Sequence, residues 1–250
     1  MDAQSELLNL KTLWHLMFSR IRGETHAQRL ESFYAGQANE YDMFRRRLLH
    51  GRDELFASVD VPEQGIWIDF GAGTGENAER LQDQLAKLKQ LYLVDLCPSL
   101  LDIAQKRIRE NFWSNVTAVH ADATTFSLPL LRADVVSFSY SLTMIPDWFL
   151  AIENALRLLK PGGVIAVVDF YVSRKHPAQG RRRHHWLTRS GWPLWFGNDN
   201  VFPNPDHLPF LESHFETVSI AEGTGSVPYL PGVRMPYYRF VGRKSSVDRP

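Results

Sequence analysis

Ile66-Trp67-Ile68-Asp69-Phe70-Gly71-Ala72-Gly73-Thr74-Gly75 decides how this chain is read. Ile66 to Phe70 is a short apolar run of strand-favouring side chains, interrupted by a single acid. The glycines that follow let the backbone turn sharply and approach a ligand, and the helix predicted after them turns its electropositive N-terminus the same way. A dinucleotide-binding turn places a further glycine three residues after Gly73. Glu76 stands there instead, and a carboxylate beside a pyrophosphate is unfavourable. Asp69 suits a ligand carrying an ammonium or hydroxyls rather than phosphates. A nicotinamide-dependent oxidoreductase is therefore the weaker reading of this turn.

Outward from that turn, the pattern repeats. After a helical stretch over 76–90 come the strand-like runs Leu91–Asp95, Val116–His120, Ala133–Phe138 and Val164–Phe170. Ser99 reads as the N-cap of a helix over 100–110, and a helix over 148–159 stops at Lys160-Pro161-Gly162-Gly163. Short apolar strands alternating with helices predict an α/β fold, a mostly parallel sheet with helices on both faces. The tail adds a helical stretch near 206–214 and two runs, 215–221 and 236–242, spaced to pair as an antiparallel edge. Residues 171–208, rich in Trp, Pro, Arg and His, show no period and read as a cap inserted in the domain. Residues 1–60 read as an N-terminal helical lid, with an amphipathic helix over 5–22, and 61–250 as the main domain.

The composition is that of a globular domain. The 250 residues carry 28 Lys+Arg and 28 Asp+Glu, a formal net charge of zero, and 44% are hydrophobic. That excludes a disordered chain and argues against broad nucleic-acid binding. No apolar run is long enough for a spanning helix, and the N-terminus does not read as a secretory signal. The single cysteine, Cys97, leaves no disulfide framework and suits a cytoplasmic setting. Neither Cys97 nor the adjacent pair His184-His185 has metal-ligand spacing, so no metal is expected.

Two more strand ends carry acids. Asp95 closes the second strand, placed to accept both hydroxyls of a ribose, with Leu96 beside it to flank an adenine. Asp122-Ala123 follows the third strand, placed for an adenine amine. Each acid alone reads equally well as a helix cap or a solvated group. Three at successive strand ends beside a glycine turn point to one ligand, since open α/β sheets bind ligands there.

The pattern D-x-G-x-G-x-G, the acid closing strand two, Asp122-Ala123 and Lys-Pro-Gly-Gly together resemble the class I S-adenosylmethionine-dependent methyltransferases over roughly 60–170. The resemblance implies a Rossmann-like sheet of seven strands with an antiparallel edge hairpin. It implies that Asp69, Gly71, Gly73, Thr74 and Gly75 pass the amino-acid part of S-adenosylmethionine, Asp95 and Leu96 the ribose and adenine, Asp122 and Ala123 the adenine, with Ser139 nearby. HAQRLESFYAGQANEYDMFRRRLLHGR (26–52), FSYSLTMIPDW (138–148) and HHWLTRSGWPLWFGNDNVF (184–202) resemble the methyltransferase part of betaine-lipid synthase. That closer resemblance implies trimethylation of the homoserine amine of diacylglycerylhomoserine, with S-adenosylhomocysteine as by-product. It also implies a partner enzyme that attaches the homoserine moiety to diacylglycerol. A methyltransferase acting on a quinone or another small acceptor is the alternative.

Candidate reaction residues follow from position. Tyr140, after strand four, is an aromatic wall or hydroxyl contact, and Tyr41 and His185 are the other catalytic candidates. Tyr34, Arg45, Met144, Trp148, Arg183 and His184 are candidates for the acceptor, though Met144 and Trp148 read more readily as packing. Arg181-Arg182-Arg183 beside Trp186, Trp192 and Trp195 suggests that 1–25 and 176–202 face a membrane surface, which would make the protein peripheral.

Overall fold

The computed structural model describes residues 23–34, 47–129, 131–197, 201–228, 230 and 232–246. The helix expected over 5–22 lies outside them, as do Tyr41, Arg45 and the side chain of Tyr34. In chain order the elements are α1 (His26–Tyr34), α2 (Arg52–Ala57), β1 (Ile66–Phe70), α3 (Asn77–Arg80), α4 (Asp83–Lys87) and β2 (Gln90–Asp95). There follow α5 (Pro98–Glu110), β3 (Val116–His120), β4 (Ala133–Ser139), a 3-10 turn (Leu142–Met144), α6 (Trp148–Leu158) and β5 (Leu159–Phe170). The chain closes with α7 (Trp186–Phe196), α8 (His207–His214), β6 (Glu216–Ser226) and β7 (Arg234–Arg243).

The strands form one seven-stranded sheet in the order β3-β2-β1-β4-β5-β7-β6. β1 to β5 run parallel, and β7 pairs antiparallel with both β5 and β6. The seven strands with their antiparallel edge are those expected. Side chains alternate between two cores: β1 gives Trp67 to one and Ile66, Ile68 and Phe70 to the other. Phe56, Ala78, Leu85 and Phe196 cover the first face; Ile152, Ala155, Leu208 and Leu211 cover the second. Trp67, Phe70 and Phe138 are fully buried, and each such side chain contributes roughly 1.5–3 kcal/mol.

Three local expectations are corrected. The helix expected over 76–90 is two short helices, because Gln82, at φ 47°, cannot continue a right-handed turn. Ser99 does not cap α5: the helix starts at Pro98, whose missing N–H costs nothing there, and the Ser99 amide donates to Glu31 Oε2 at 3.3 Å. Residues 171–208 are not wholly irregular, since they contain α7. That helix shows no period because it is apolar on every side and holds Gly191 and Pro193.

Candidate active site

The parallel part of the sheet changes direction between β1 and β4, and a pocket of about 170 Å³ opens beside their carboxyl ends. Its lining gathers Gly71, Asp95, Leu96, Asp122, Ala123, Tyr140 and Met144 from the residues read in the sequence. His26 and Leu30 of α1 close it from above, and Ser141, Ile145 and Asp147 complete one side. Gly71 has φ 66°, and a Cβ there would meet the Ser141 side chain at 2.3 Å. Gly75, at φ 74°, passes 2.9 Å from Leu93 by the same measure. Both turns thus require glycine.

Asp95 is the hinge of the site. Its Oδ2 accepts the Gly73 amide at 2.8 Å and its Oδ1 accepts the Cys97 amide at 2.9 Å. The glycine turn and the start of α5 are thereby tied to one carboxylate, which lines the pocket in a fixed position. Asp122, which also lines the pocket, accepts the Thr124 amide and hydroxyl on Oδ1 at 2.8 and 2.7 Å. The same lining holds Leu96, Ala123, Leu30 and Ile145. Apolar side chains together with two fixed carboxylates suit an adenosine: plates for the base, acceptors for hydroxyls and an amine.

Asp69, Gly73, Thr74, Gly75 and Ser139 lie outside this lining. Asp69 is buried beneath the turn, its oxygens taken by Ser137 Oγ at 2.6 Å and Asn77 Nδ2 at 3.0 Å. Burial raises its pKa to about 6 against the pull of those bonds. It organises the turn from below rather than presenting a face to a ligand. Glu76 is also turned inward, bonded to Arg52 at 3.1 Å and to Arg80 at 3.1 Å. Its charge is thus matched within the protein, and the sequence argument that it would repel a pyrophosphate loses force. Ser139 is buried, its hydroxyl without a partner among the described residues.

Tyr140 sits at φ 56°, a conformation that strains a residue with a side chain. Its amide donates to Val168 O at 2.8 Å and its hydroxyl to His50 O at 2.6 Å. Burial, then the nearby Asp169 carboxyl, pushes its phenol well above the ordinary range. Tyr140 is therefore an aromatic wall, with its hydroxyl committed, and not a base. Its ring meets Phe170 edge-on at 4.5 Å, Phe170 stacks on Phe196 at 5.9 Å, and Phe196 lies against Trp192 at 5.6 Å. An aromatic row thus runs from the pocket to α7.

The remaining candidates stand elsewhere. His185 is the exposed N-cap of α7, accepting the Leu187 amide at 3.3 Å, so it does not reach the pocket. His184 is buried and clasped to Ser173, whose amide donates to its Nδ1 at 3.0 Å. Burial lowers its pKa, which suits a neutral structural ring. Arg183 is exposed. Trp148 packs edge-on against His207 at 4.8 Å and Phe210 at 5.2 Å. Trp192 is half-buried and Trp195 exposed. Among the described residues no group of three or more potential ligands stands together for a metal, and no helix is long and apolar enough to cross a membrane. His26 and Leu30 were missed by the sequence reading. The signal was present: Thr25 Oγ1 accepts the Gln28 amide while Gln28 Oε1 accepts the Thr25 amide, a reciprocal cap that fixes where α1 begins.

The fold and pocket define a nucleoside-binding α/β enzyme of the methyltransferase kind. The methyltransferase-domain family matches residues 40–229, and the chain belongs to it; its cofactor is S-adenosylmethionine. Among curated relatives, the ubiquinone/menaquinone biosynthesis C-methyltransferase of Shewanella halifaxensis is 24% identical over 162 residues, covering 62% of this chain and 64% of that one. The chain thus spans somewhat under two thirds of that relative. Among solved structures, the [4+2]-cyclase SpnF superposes with a TM-score of 0.66 at 18% identity, covering 92% of this chain and 100% of that one. The N-methyltransferase NodS of Bradyrhizobium japonicum, solved with S-adenosyl-L-homocysteine, gives 0.56 at 17% identity, covering 82% and 98%. These last two show the fold alone; one is named a cyclase, so the fold does not choose the reaction.

Proposed function

We propose that this chain is an N-methyltransferase that trimethylates the homoserine amine of diacylglycerylhomoserine to form diacylglyceryl-trimethylhomoserine. The observation that carries the reading is the aromatic row Tyr140, Phe170, Phe196, Trp192. It leads from the pocket to the cap, and its first ring, Tyr140, lines the pocket, where an aromatic wall suits an amine that becomes a quaternary ammonium. The likeness of 26–52, 138–148 and 184–202 to the methylating part of betaine-lipid synthase supports the same acceptor. Residues 1–60 serve as the lid in this reading, and 171–208 as the acceptor-side cap. The unmethylated lipid would come from a partner enzyme that joins the homoserine moiety to diacylglycerol, at the cytoplasmic side of a membrane.

Bound S-adenosylmethionine supplies a methyl on a positively charged sulfur, open to in-line displacement. The chain need not supply a nucleophile. Asp95 and Asp122 orient the nucleoside, α1 covers it through His26 and Leu30, and the Tyr140 ring, backed by Phe170, excludes water while stabilising positive charge on the acceptor nitrogen. Positioning of this kind supplies several kcal/mol of a barrier.

A second reading is favoured by the name of the curated relatives: C-methylation of a quinone ring. One assay separates the two. The purified chain is given isotope-labelled S-adenosylmethionine and diacylglycerylhomoserine in mixed micelles, with an isoprenoid quinone precursor in a parallel reaction. Stepwise mono-, di- and trimethylated lipid is expected. Label in the quinone alone, or cofactor binding with no labelled lipid, would sink the lipid reading.

A further inference from the structure

α7 is apolar on the wrong side for a helix that only packs. Its inner arc, Trp192 and Phe196, lies on the core. Its outer arc carries Trp186, Leu187, Leu194 and Trp195, which are 59, 58, 79 and 47% exposed. Phe202 just beyond is also exposed, and its amide donates to Thr143 O at 2.8 Å, beside the cofactor pocket. Four large apolar side chains exposed on one arc of a short helix mark a site of contact.

The charge around it names the occupant. From Tyr171 to Gly197 the sequence holds Arg174, Lys175, Arg181, Arg182, Arg183 and Arg189 and no Asp or Glu, in a chain of zero net charge. Arg174 and Arg181 are paired with Asp206 and Glu212, while Lys175, Arg182 and Arg183 are exposed. An open groove of about 590 Å³ at the foot of α7 is lined by Lys175, Arg189, Ser190, Asn204 and Phe202, with Arg174, and by no carboxylate. Cations and hydrogen-bond donors beside Trp and Leu complement an anionic lipid surface, with phosphates in the groove and tryptophans at the water–acyl boundary.

We infer that the outer arc of α7, with the exposed Arg182 and Arg183 just before it and the Lys175–Arg189 groove, is a docking surface for an anionic phospholipid bilayer. This goes beyond the acceptor reading and rests on the cap alone. Docking there would put the membrane at the end of the aromatic row that starts at Tyr140.

The test is co-sedimentation of the full chain, without cofactor or acceptor, with vesicles of phosphatidylcholine with and without phosphatidylglycerol. Binding to the anionic vesicles alone is expected, weakening as salt is added. W186A/W195A should bind at least about tenfold more weakly, and R182A/R183A about thirtyfold. R182E/R183E leaves the aromatic face whole and serves where the tryptophan variant fails to fold. Equal binding to both vesicle types, or to neither, overturns the inference, as does wild-type binding by the variants. A change in the mass of the particle with vesicle binding untouched would place a second copy on this face. A fall in melting temperature with vesicle binding untouched would assign the tryptophans to packing within the chain; either overturns it. Vesicle binding by a chain that methylates no lipid would leave the docking surface standing and remove the acceptor reading. Methylation of micellar lipid without vesicle binding would do the reverse.

Discussion

Asp95 holds two backbone segments and faces the pocket, so Asp95→Ala removes a charged acceptor and loosens the glycine turn together. Calorimetric titration should show S-adenosylmethionine bound roughly tenfold to a hundredfold more weakly. Unchanged affinity would misplace the ribose. Asp169 titrates in the opposite sense to a salt-bridged acid. It is fully buried on β5, bonded to Thr143 at the 3-10 turn, and burial raises its pKa to about 7. The folded state therefore keeps a proton that the unfolded chain has lost above about pH 4, and that stabilising contribution fades as pH rises through about 7. The loss of stability in Asp169→Asn, read from denaturant midpoints, should be larger by a few kcal/mol near pH 4.5 than near pH 8. At this scale Asp95 and Asp122 were legible because strand ends announce themselves. Glu76 was not: its partner Arg52 lies 24 residues upstream, in a stretch with no motif to mark it. Arg52→Met leaves Glu76 paired with Arg80 and should cost about 1–3 kcal/mol in urea unfolding, whereas Glu76→Met strips both arginines of a partner and should cost more.

Among the elements, α1 and α7 carry what the sequence concealed. α1 lines the pocket through His26 and Leu30, with Glu31 accepting from Cys97 and Ser99, and Leu30 packed on the Cys97–Leu100 cluster. Thr25→Ala removes half of its reciprocal cap, worth about 1 kcal/mol of helix. Cofactor affinity should fall by up to about fivefold, measured as a dissociation constant. α7 seats Phe196 on Phe170. Phe196→Ala should lower acceptor turnover per KM while leaving the cofactor constant nearly unchanged, a split that a general unfolding would not produce. Strands were read well because burial on both faces leaves continuous apolar runs. α7 was lost because helix periodicity needs a polar side, and this helix has none. The break at Gln82 leaves no mark of its own in the residues around it.

For the whole molecule, the topology was the most legible property: five strands separated by helices leave few ways to build a sheet. The antiparallel β7 inserted between β5 and β6 closes one edge and supports β5 from the side opposite β4. The pocket, by contrast, depends on groups from α1, β2, the turn after β3 and the 3-10 turn meeting at one place. The strand-end residues among them, Asp95, Leu96, Asp122 and Ala123, had sequence positions that predicted the meeting; His26 and Leu30 of α1 did not. Because the site draws on so many segments, its ligand should steady the entire fold. S-adenosylmethionine at a hundred times its dissociation constant adds about 2.7 kcal/mol. Scanning calorimetry should then show the transition about 5–10 °C higher.

Cys97 offers a practical handle. The sole thiol of the chain is fully buried, and its pKa is raised to about 11. Thiol-reactive reagents should count none in the native protein and one after denaturation. A cysteine introduced at Leu194, on the outer arc of α7, would be the lone labelling point with no need to remove the native one. A polarity-sensitive dye attached there would report in real time what the cap meets.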